Sequence, residues 1–486
     1  MHPYRAVPAD GPCPPSFQAG RRITFQLIGW SLASFTLACQ SYEPIPLQLA
    51  DHMDRVRERI VLPPKASPPR TDAFDLEDGA SLAECEALSQ FYNADLRLAR
   101  ERAGVARASH DNAGLWNDPV FQFSGGQILS PKSGLDYSGL LFLTLPVSGR
   151  LQVQKDRANA ALDVELRRIA DAEWRVRAEL RTAYFQWSAL DRRRALLREL
   201  LDQVGRIGSI ASQLETAGVL SRAQSRLIRI ELVGRRAELL RVQLEADLAR
   251  VRVFGLIGLA PDAPIELLAP SVESLEDTGA LTPERILATS TELAVLHAEY
   301  ELSEETLRLA IRQQYPDLSL GVGPGSEGED TRIPFQLSLP IPLLNRNAQA
   351  IAKARASREV ARVAAEVALE RIVRDAERAS MTLRSVREQR EAIEGELSPL
   401  LEEQSRTIDE LAGLGDVDAF LLLETVSRRY DAASRLLDLE VSEATARIQL
   451  AQLVGPPIQF AQLVGPPNPE PAAQDASSAA TEAHQP

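Results

Sequence analysis

Hydrophobic residues recur along this chain with two periods, and the change from one to the other divides it into elements. At Leu318, Leu320 and Val322, then at Ile333, Phe335, Leu337, Leu339 and Ile341, apolar positions alternate with other residues. That is the pattern of strands with one greasy face. Residues 120–128 and 138–145 repeat it less cleanly, and short polar links at 130–136 and 324–331 join each pair. Each pair predicts a β-hairpin, with strands near the roughly 9–11 residues that cross a bilayer when tilted. An ordinary soluble hairpin with one buried face fits the same alternation.

After each hairpin the period lengthens. From 162 to 215 a position recurs every four and three residues, sixteen in all, and twelve of them are apolar. Ile372, Ala376, Ala379, Leu383, Val386, Ile393, Leu397 and Leu400 repeat the rhythm, with Arg390 the one break. A sustained repeat of about 3.5 residues makes a coiled-coil seam. Residues 148–217 predict one helix of about 105 Å, and Pro399 predicts a kink near the end of the second. Each long helix reverses at a glycine, Gly218 or Gly415, and returns through 227–253 or 420–453.

The landmarks come in pairs. Pro119 and Pro316 open similar strands 197 residues apart, Leu143 and Leu337 open similar tetrapeptides 194 apart, and Gly218 and Gly415 are again separated by 197. The chain is therefore one unit of about 200 residues written twice. A shorter echo, AlaGlnLeuValGlyProPro at 451–457 and at 461–467, reads as a local duplication. The expected divisions are residues 1–38, a signal segment; 39–80, a Pro-rich tether; 81–270 and 271–457, the two repeats, with strands near 119–129, 138–146, 317–324 and 332–341; and 458–486, a disordered tail.

Composition narrows the classes. Among 486 residues, 54 Lys and Arg face 68 Asp and Glu, a net charge of −14, which argues against a nucleic-acid partner. Three cysteines are too few for a disulfide framework or a thiolate zinc site. Arg21 and Arg22 precede a mostly apolar run to Ala38, the parts of an export signal. The run closes on ThrLeuAlaCys, which resembles the lipobox of bacterial lipoproteins and makes Cys39 the candidate lipidated residue. A retained single anchor and a soluble signal cut elsewhere are the other readings.

No catalytic constellation competes. The five histidines have no second ligand at the helical spacing of three or four, so no metal cage or catalytic base is visible, and no cofactor or enzyme activity is expected. Gly321-Val322-Gly323-Pro324-Gly325 reads as a turn and not a nucleotide loop, because no helix follows it. Asn345-Arg346-Asn347, at a strand-to-helix junction, reads as an N-cap. Four strands cannot close a membrane barrel, and open edges do not survive in lipid. Several copies must pool strands, and three copies give twelve.

These residues carry a resemblance. The export signal, the duplicated hairpin-plus-helical-hairpin unit, LeuSerLeuProIleProLeuLeuAsnArgAsn at 337–347 and GlyAspValAspAlaPheLeuLeuLeuGlu at 415–424 resemble the outer membrane factor (TolC-like) family over roughly 82–457. The ProIleProLeuLeuAsnArgAsn stretch is most similar to its heavy-metal-cation efflux (CzcC-like) branch. The resemblance implies a mainly α fold with a small β part. It also implies a homotrimer whose 12-stranded barrel sits in outer membrane lipids, on a 12-helix tube crossing the periplasm. The implied partners are a periplasmic adaptor and an inner membrane pump of the resistance-nodulation-division type. Matching positions for adaptor-docking tips are Gly218, Val219, Leu220 and Ser221, and Gly415, Asp416, Val417 and Asp418. Glu424, after Leu422-Leu423, matches an acidic pore constriction. Arg222, Arg226 and Arg229 depart from the family pattern at the first tip. An exit duct for small toxic substrates, the same duct serving type I protein secretion, and a periplasmic coiled-coil scaffold without a pore are the three functional readings.

Overall fold

The computed structural model describes residues 42–59, 78–129, 134–272, 282–328, 330–413 and 418–456, together with Leu76 and Leu275. Cys39, Gly415, Asp416, Val417 and the tail from 457 lie outside the described residues. The chain divides at Arg55. Residues 42–48 are extended and lead into helix α1 (Leu49–Glu58), none of whose residues is buried.

The larger unit holds two copies of one plan. The first runs α2 (Leu82–Tyr92), α3 (Ala94–Asp111), β1 (Val120–Ile128), β2 (Gly134–Leu145), α4 (Arg150–Thr216) and α5 (Arg222–Ile257). The second runs α6 (Pro283–Thr289), α7 (Thr291–Arg312), β3 (Leu318–Val322), β4 (Gly325–Glu327), β5 (Asp330–Arg332), β6 (Phe335–Ser338), α8 (Ala348–Ala392), α9 (Ser398–Gly413) and α10 (Ala419–Val454). Sequence periodicity missed the α2–α3 and α6–α7 pairs. α2 and α6 are short, at 11 and 7 residues. Three of the four starts are set by side-chain caps: Ser81 and Glu84 form a reciprocal capping box, Asn93 Oδ1 accepts from the backbone N–H of Asp95 at 2.9 Å, and Thr282 Oγ1 accepts from Arg285 N–H, whereas Ser290 makes no side-chain cap at α7.

The six strands form one antiparallel sheet. β1 pairs with β2; β2 pairs with β3 over Leu141–Leu145 and with β4 over Asp136–Ser138; β3 and β4 pair in turn with β6 and β5. Several expectations change here. β2 starts at Gly134, inside the link expected at 130–136, rather than near 138. The link expected at 324–331 is mostly strand, since β4 and β5 occupy it, and the reversal narrows to the residues around Gly328. The run 333–341 shortens to β6, because Pro334, Pro340 and Pro342 bring no N–H to a ladder. Likewise 321–325 is not a turn: the chain stays extended beside β2, and Pro324 O accepts from Gly139 N–H at 3.0 Å.

Helix α4 is unbroken for 67 residues, about 100 Å. None of the sixteen seam positions is exposed. Burial spreads beyond them to Val164, Ala178, Tyr184, Phe185, Leu200 and Ile207, because α4 packs against α3, α5, α7 and α10 rather than a single partner. The second long helix is interrupted by a π-helical turn, Ile393–Leu397, just before Ser398-Pro399. Pro399 lacks an N–H and its ring crowds the carbonyl four residues back, so the break falls in the turn before it. The extra residue slips the seam. Ile372, Ala376, Ala379, Val386 and Ile393 are buried, whereas Leu397 and Leu400 are exposed. Arg390, the polar break in that seam, donates to the fully buried Glu443 of α10 at 2.9 Å.

The return helices end at matching glycines. Gly258 lies against the Tyr92-Asn93 junction and Gly455 against Thr289-Ser290, all 197 residues apart in pairs. Asn93 Nδ2 donates to Leu256 O at 2.7 Å, and Thr289 Oγ1 donates to Val454 O. So α3 begins where α5 ends, and α7 where α10 ends. Toward the sheet α4 is flanked by α3 and α7; away from it, by α5 and α10.

The other helix starts hold one correction. Asn347 does precede α8, but its side chain makes no cap: at φ +55° its Nδ2 reaches across to Ala310 O of α7 at 2.8 Å. Ala80 and Ile265, outside the helices, and Cys85 and Leu88 of α2 form a core with Leu180, Tyr184 and Phe254. Burial pushes the Cys85 thiol up to about 12, with Glu84 and Glu86 adding to it. A neutral thiol stabilises the fold fully below about pH 8.5, and that contribution is lost as pH rises from there toward 12. Ellman's reagent at pH 8 should therefore reach Cys85 only after unfolding; reaction in the folded protein at a free-thiol rate would contradict this core.

Candidate functional site

The sheet has two unlike faces. Register puts Phe121, Phe123, Leu141, Leu143, Leu320, Val322, Phe335 and Leu337 on one side. All of these are exposed, Phe335 to 86%. The other face is mostly polar and internally bonded. Ser124 and Ser138 hydroxyls meet at 2.7 Å, Thr144 and Ser319 at 3.0 Å, and Arg332 donates to Asp136 at 2.9 Å and to Glu327. Val120, Ile128, Leu140 and Phe142 are its apolar exceptions, Phe142 lying over Gly321. The outer strands β1 and β6 each have one edge without a ladder partner among the described residues. An apolar face left open to solvent and two open edges make a sheet that is incomplete as a single chain.

At the far end of the helices the tips are built by caps. Gly218 adopts φ +76°, and Val219 N–H donates back to Leu214 O at 2.9 Å, a Schellman closure of α4. Ser221 then starts α5 through a capping box with Gln224. Its counterpart 197 residues on, Asp418, caps α10 by accepting from Phe420 N–H at 2.9 Å and Leu421 N–H at 3.2 Å. The two tips meet. Leu220 packs with Ile207, Ala211, Ile228, Ala419 and Phe420 in one cluster. Val219 is left open at the first tip, 71% exposed.

Glu424 is exposed and not bare. Arg428, one turn along α10, donates to it at 2.6 Å. Sequence reading missed this pairing, although the spacing of four residues is the usual signal for it. Arg222 stands almost fully in solvent, 4.0 Å from Glu215. Between α3, α4, α7, α8 and the end of α10 runs a groove of about 1340 Å³. Arg168, Asp171, Arg175, Glu292, Arg371 and Asp375 line it, so its wall is charged and near neutral in sum. Among the described residues no helix is long and apolar enough to cross a membrane.

No family model matches the chain, and no curated protein matches it in sequence. Solved structures do match it in shape. A membrane protein from Pseudomonas aeruginosa superposes with a TM-score of 0.67 at 18% identity, over 81% of this chain and 99% of that one. The outer-membrane channel OprN gives 0.66 at 18% identity, over 77% and 89%. The outer membrane channel MtrE of Neisseria gonorrhoeae, in its open state, gives 0.62 at 16% identity, over 81% and 97%. The chain shares the fold of these channel chains. Likeness at these identities speaks for the fold alone.

Proposed function

We propose that this chain belongs to the outer membrane factor family and is the exit duct of a tripartite efflux system. The observation that carries the proposal is the two-faced, open-edged sheet at one end of a long helical hairpin. Three copies would join β1 edges to β6 edges into a closed barrel. That turns the Phe335–Phe121 face to lipid and the Arg332–Asp136 face to a wet lumen. The four helix positions around α4 then contribute to a tube continuous with the barrel. The chain does no chemistry itself; a pump in the inner membrane, joined through a periplasmic adaptor at the tips, supplies the drive.

In this reading Val219, Leu220 and the 415–418 turn meet the adaptor, Cys39 carries a lipid, and heavy-metal cations are the cargo. The cargo rests on the ProIleProLeuLeuAsnArgAsn resemblance. Deleting the gene in its native host should lower tolerance of heavy-metal cations, and the cloned gene should restore it. Unchanged metal tolerance with loss of an exported protein would favour the secretion reading instead.

Three Glu424–Arg428 pairs would converge at the mouth. Because each pair is near neutral, the arginine sets how strongly the ring draws cations. In planar bilayers Arg428→Gln should strengthen block by divalent cations and Glu424→Gln should weaken it. Identical block in both variants and wild type would remove Glu424 from the constriction.

A further inference from the structure

The four junctions between helix and strand, taken with the adjoining helix ends, share a composition unlike the rest of the chain. Residues 104–120, 146–160, 305–318 and 339–360 hold ten Lys and Arg against six Asp and Glu, in a protein whose net charge is −14. They also lie at one level. Arg150 bridges to Asp317 at 2.8 Å, Arg157 donates to Thr306, and Asn347 donates to Ala310. The acids here are partly taken up by that bridge and by the Arg308–Glu305 and Arg362–Glu359 pairs. Six exposed bases, Arg107, Lys155, Arg312, Arg346, Lys353 and Arg355, make no ion pair among the described residues.

Interleaved with them are large apolar side chains left in solvent. Leu115 and Trp116 precede β1, Val147 follows β2, Tyr315 precedes β3, and Leu343 and Leu344 follow β6; Leu344 is wholly exposed. Leu339 and Ile341 continue the alternation of the apolar sheet face into this level. Nothing in the fold buries these groups, yet they extend a face already read as lipid-facing.

We infer that this collar is a binding surface for anionic phospholipid headgroups of the membrane leaflet at the helix end of the barrel. The inference rests on the duct reading. Aromatic and aliphatic side chains would sit at the headgroup–acyl boundary, while those unpaired guanidinium and ammonium groups that face outward take phosphates just outside it. Lys353 and Arg355 flank the buried Ala354 about 200° apart on α8, so one of the two belongs to that side. Arg346, held at φ +48° beside the exposed Leu343-Leu344 pair, brings charge and apolar contact within one loop. The collar would fix the depth of the barrel and make the surrounding lipid richer in negative headgroups than the bulk.

The test uses the full chain reconstituted in vesicles of phosphatidylcholine and phosphatidylglycerol in equal parts, with one lipid at a time brominated on its acyl chains. Fluorescence lost relative to a Trp116→Phe control reports which lipid lies beside Trp116. Brominated phosphatidylglycerol should quench it with an apparent preference of about fivefold over phosphatidylcholine. The preference should vanish in high salt, a check that needs no variant. It should also vanish in the combined variant Arg107→Gln, Lys155→Gln, Arg312→Gln, Arg346→Gln, Lys353→Gln and Arg355→Gln. Equal quenching by both lipids in a conducting wild-type protein would overturn the inference and leave the duct standing. A preference that survives both salt and the combined variant would overturn it too. No quenching by either lipid, together with no conductance, would overturn the duct reading as well.

Discussion

Gly258→Ala and Gly455→Ala are each expected to destabilise the folded chain by about 3 kcal/mol or more, enough to lower thermal midpoint and assembled yield together. Two effects add at each position. The backbone sits at φ +91° and +88°, where a Cβ is strained. In addition, the new Cβ would lie 2.1 Å from Tyr92 O at Gly258 and 1.9 Å from Thr289 O at Gly455. Backbone cannot yield as a flexible side chain can, so the junction between return helix and next helix must open. Gly218→Ala is the internal comparison. Its φ is +76° but its Cβ would meet open space, so it should cost only about 1 kcal/mol. Thermal unfolding of the three variants by circular dichroism checks the order. Equal midpoints for Gly218→Ala and Gly455→Ala would show that the close approach carries no weight.

Glu443→Gln should be nearly as damaging, by about 3 kcal/mol. The carboxylate is 1% exposed and accepts from Arg387 at 3.2 Å, Arg390 at 2.9 Å and Arg447 at 2.7 Å. Removing its charge leaves three guanidinium groups facing one another. Arg387 and Arg390 are part-exposed and can swing to water, which holds the loss near the lower end of the range for broken buried pairs. Arg447 cannot follow easily: it is the most buried of the three and also donates to Val272 O. Denaturant unfolding of Glu443→Gln beside Arg387→Gln separates the two. If both fall equally, the cluster is a surface pair and not a buried hub.

Much of this architecture was legible in the chain. The period of two at 318–322 and the period of 3.5 at 162–215 are direct prints of a one-faced strand and a coiled-coil seam, and both elements exist. The offset of 197 recurs at Tyr92 and Thr289, Ser221 and Asp418, and Gly258 and Gly455; Ser and Asp share capping chemistry, whereas Tyr92 and Thr289 do not look alike. What stayed hidden depends on tertiary contact. The register that sets Asp136 beside Arg332 was obscured by prolines that split β3 from β4 and β5 from β6. Asn347 was read as a cap from its position, but a positive φ sends its amide to another helix. Pro399 was visible, yet the π turn it provokes, and the seam slip after it, follow from strain one turn earlier. At the candidate site, Gly218 and Ser221 could be read from turn chemistry; the meeting of Leu220 with Ala419 could not, because it joins the two repeats.

In the proposed duct the sheet of one chain is a third of a barrel, with lipid on one face and water on the other. Four consecutive residues of β6 should sense that alternation. In a background with the native cysteines replaced by Ser, Phe335→Cys, Gln336→Cys, Leu337→Cys and Ser338→Cys are each reconstituted in planar bilayers. Each is then treated with a charged, water-soluble methanethiosulfonate. Conductance should fall at 336 and 338 and stay unchanged at 335 and 337. Equal modification of all four, or a protein that gives no conductance while remaining folded, would contradict the account.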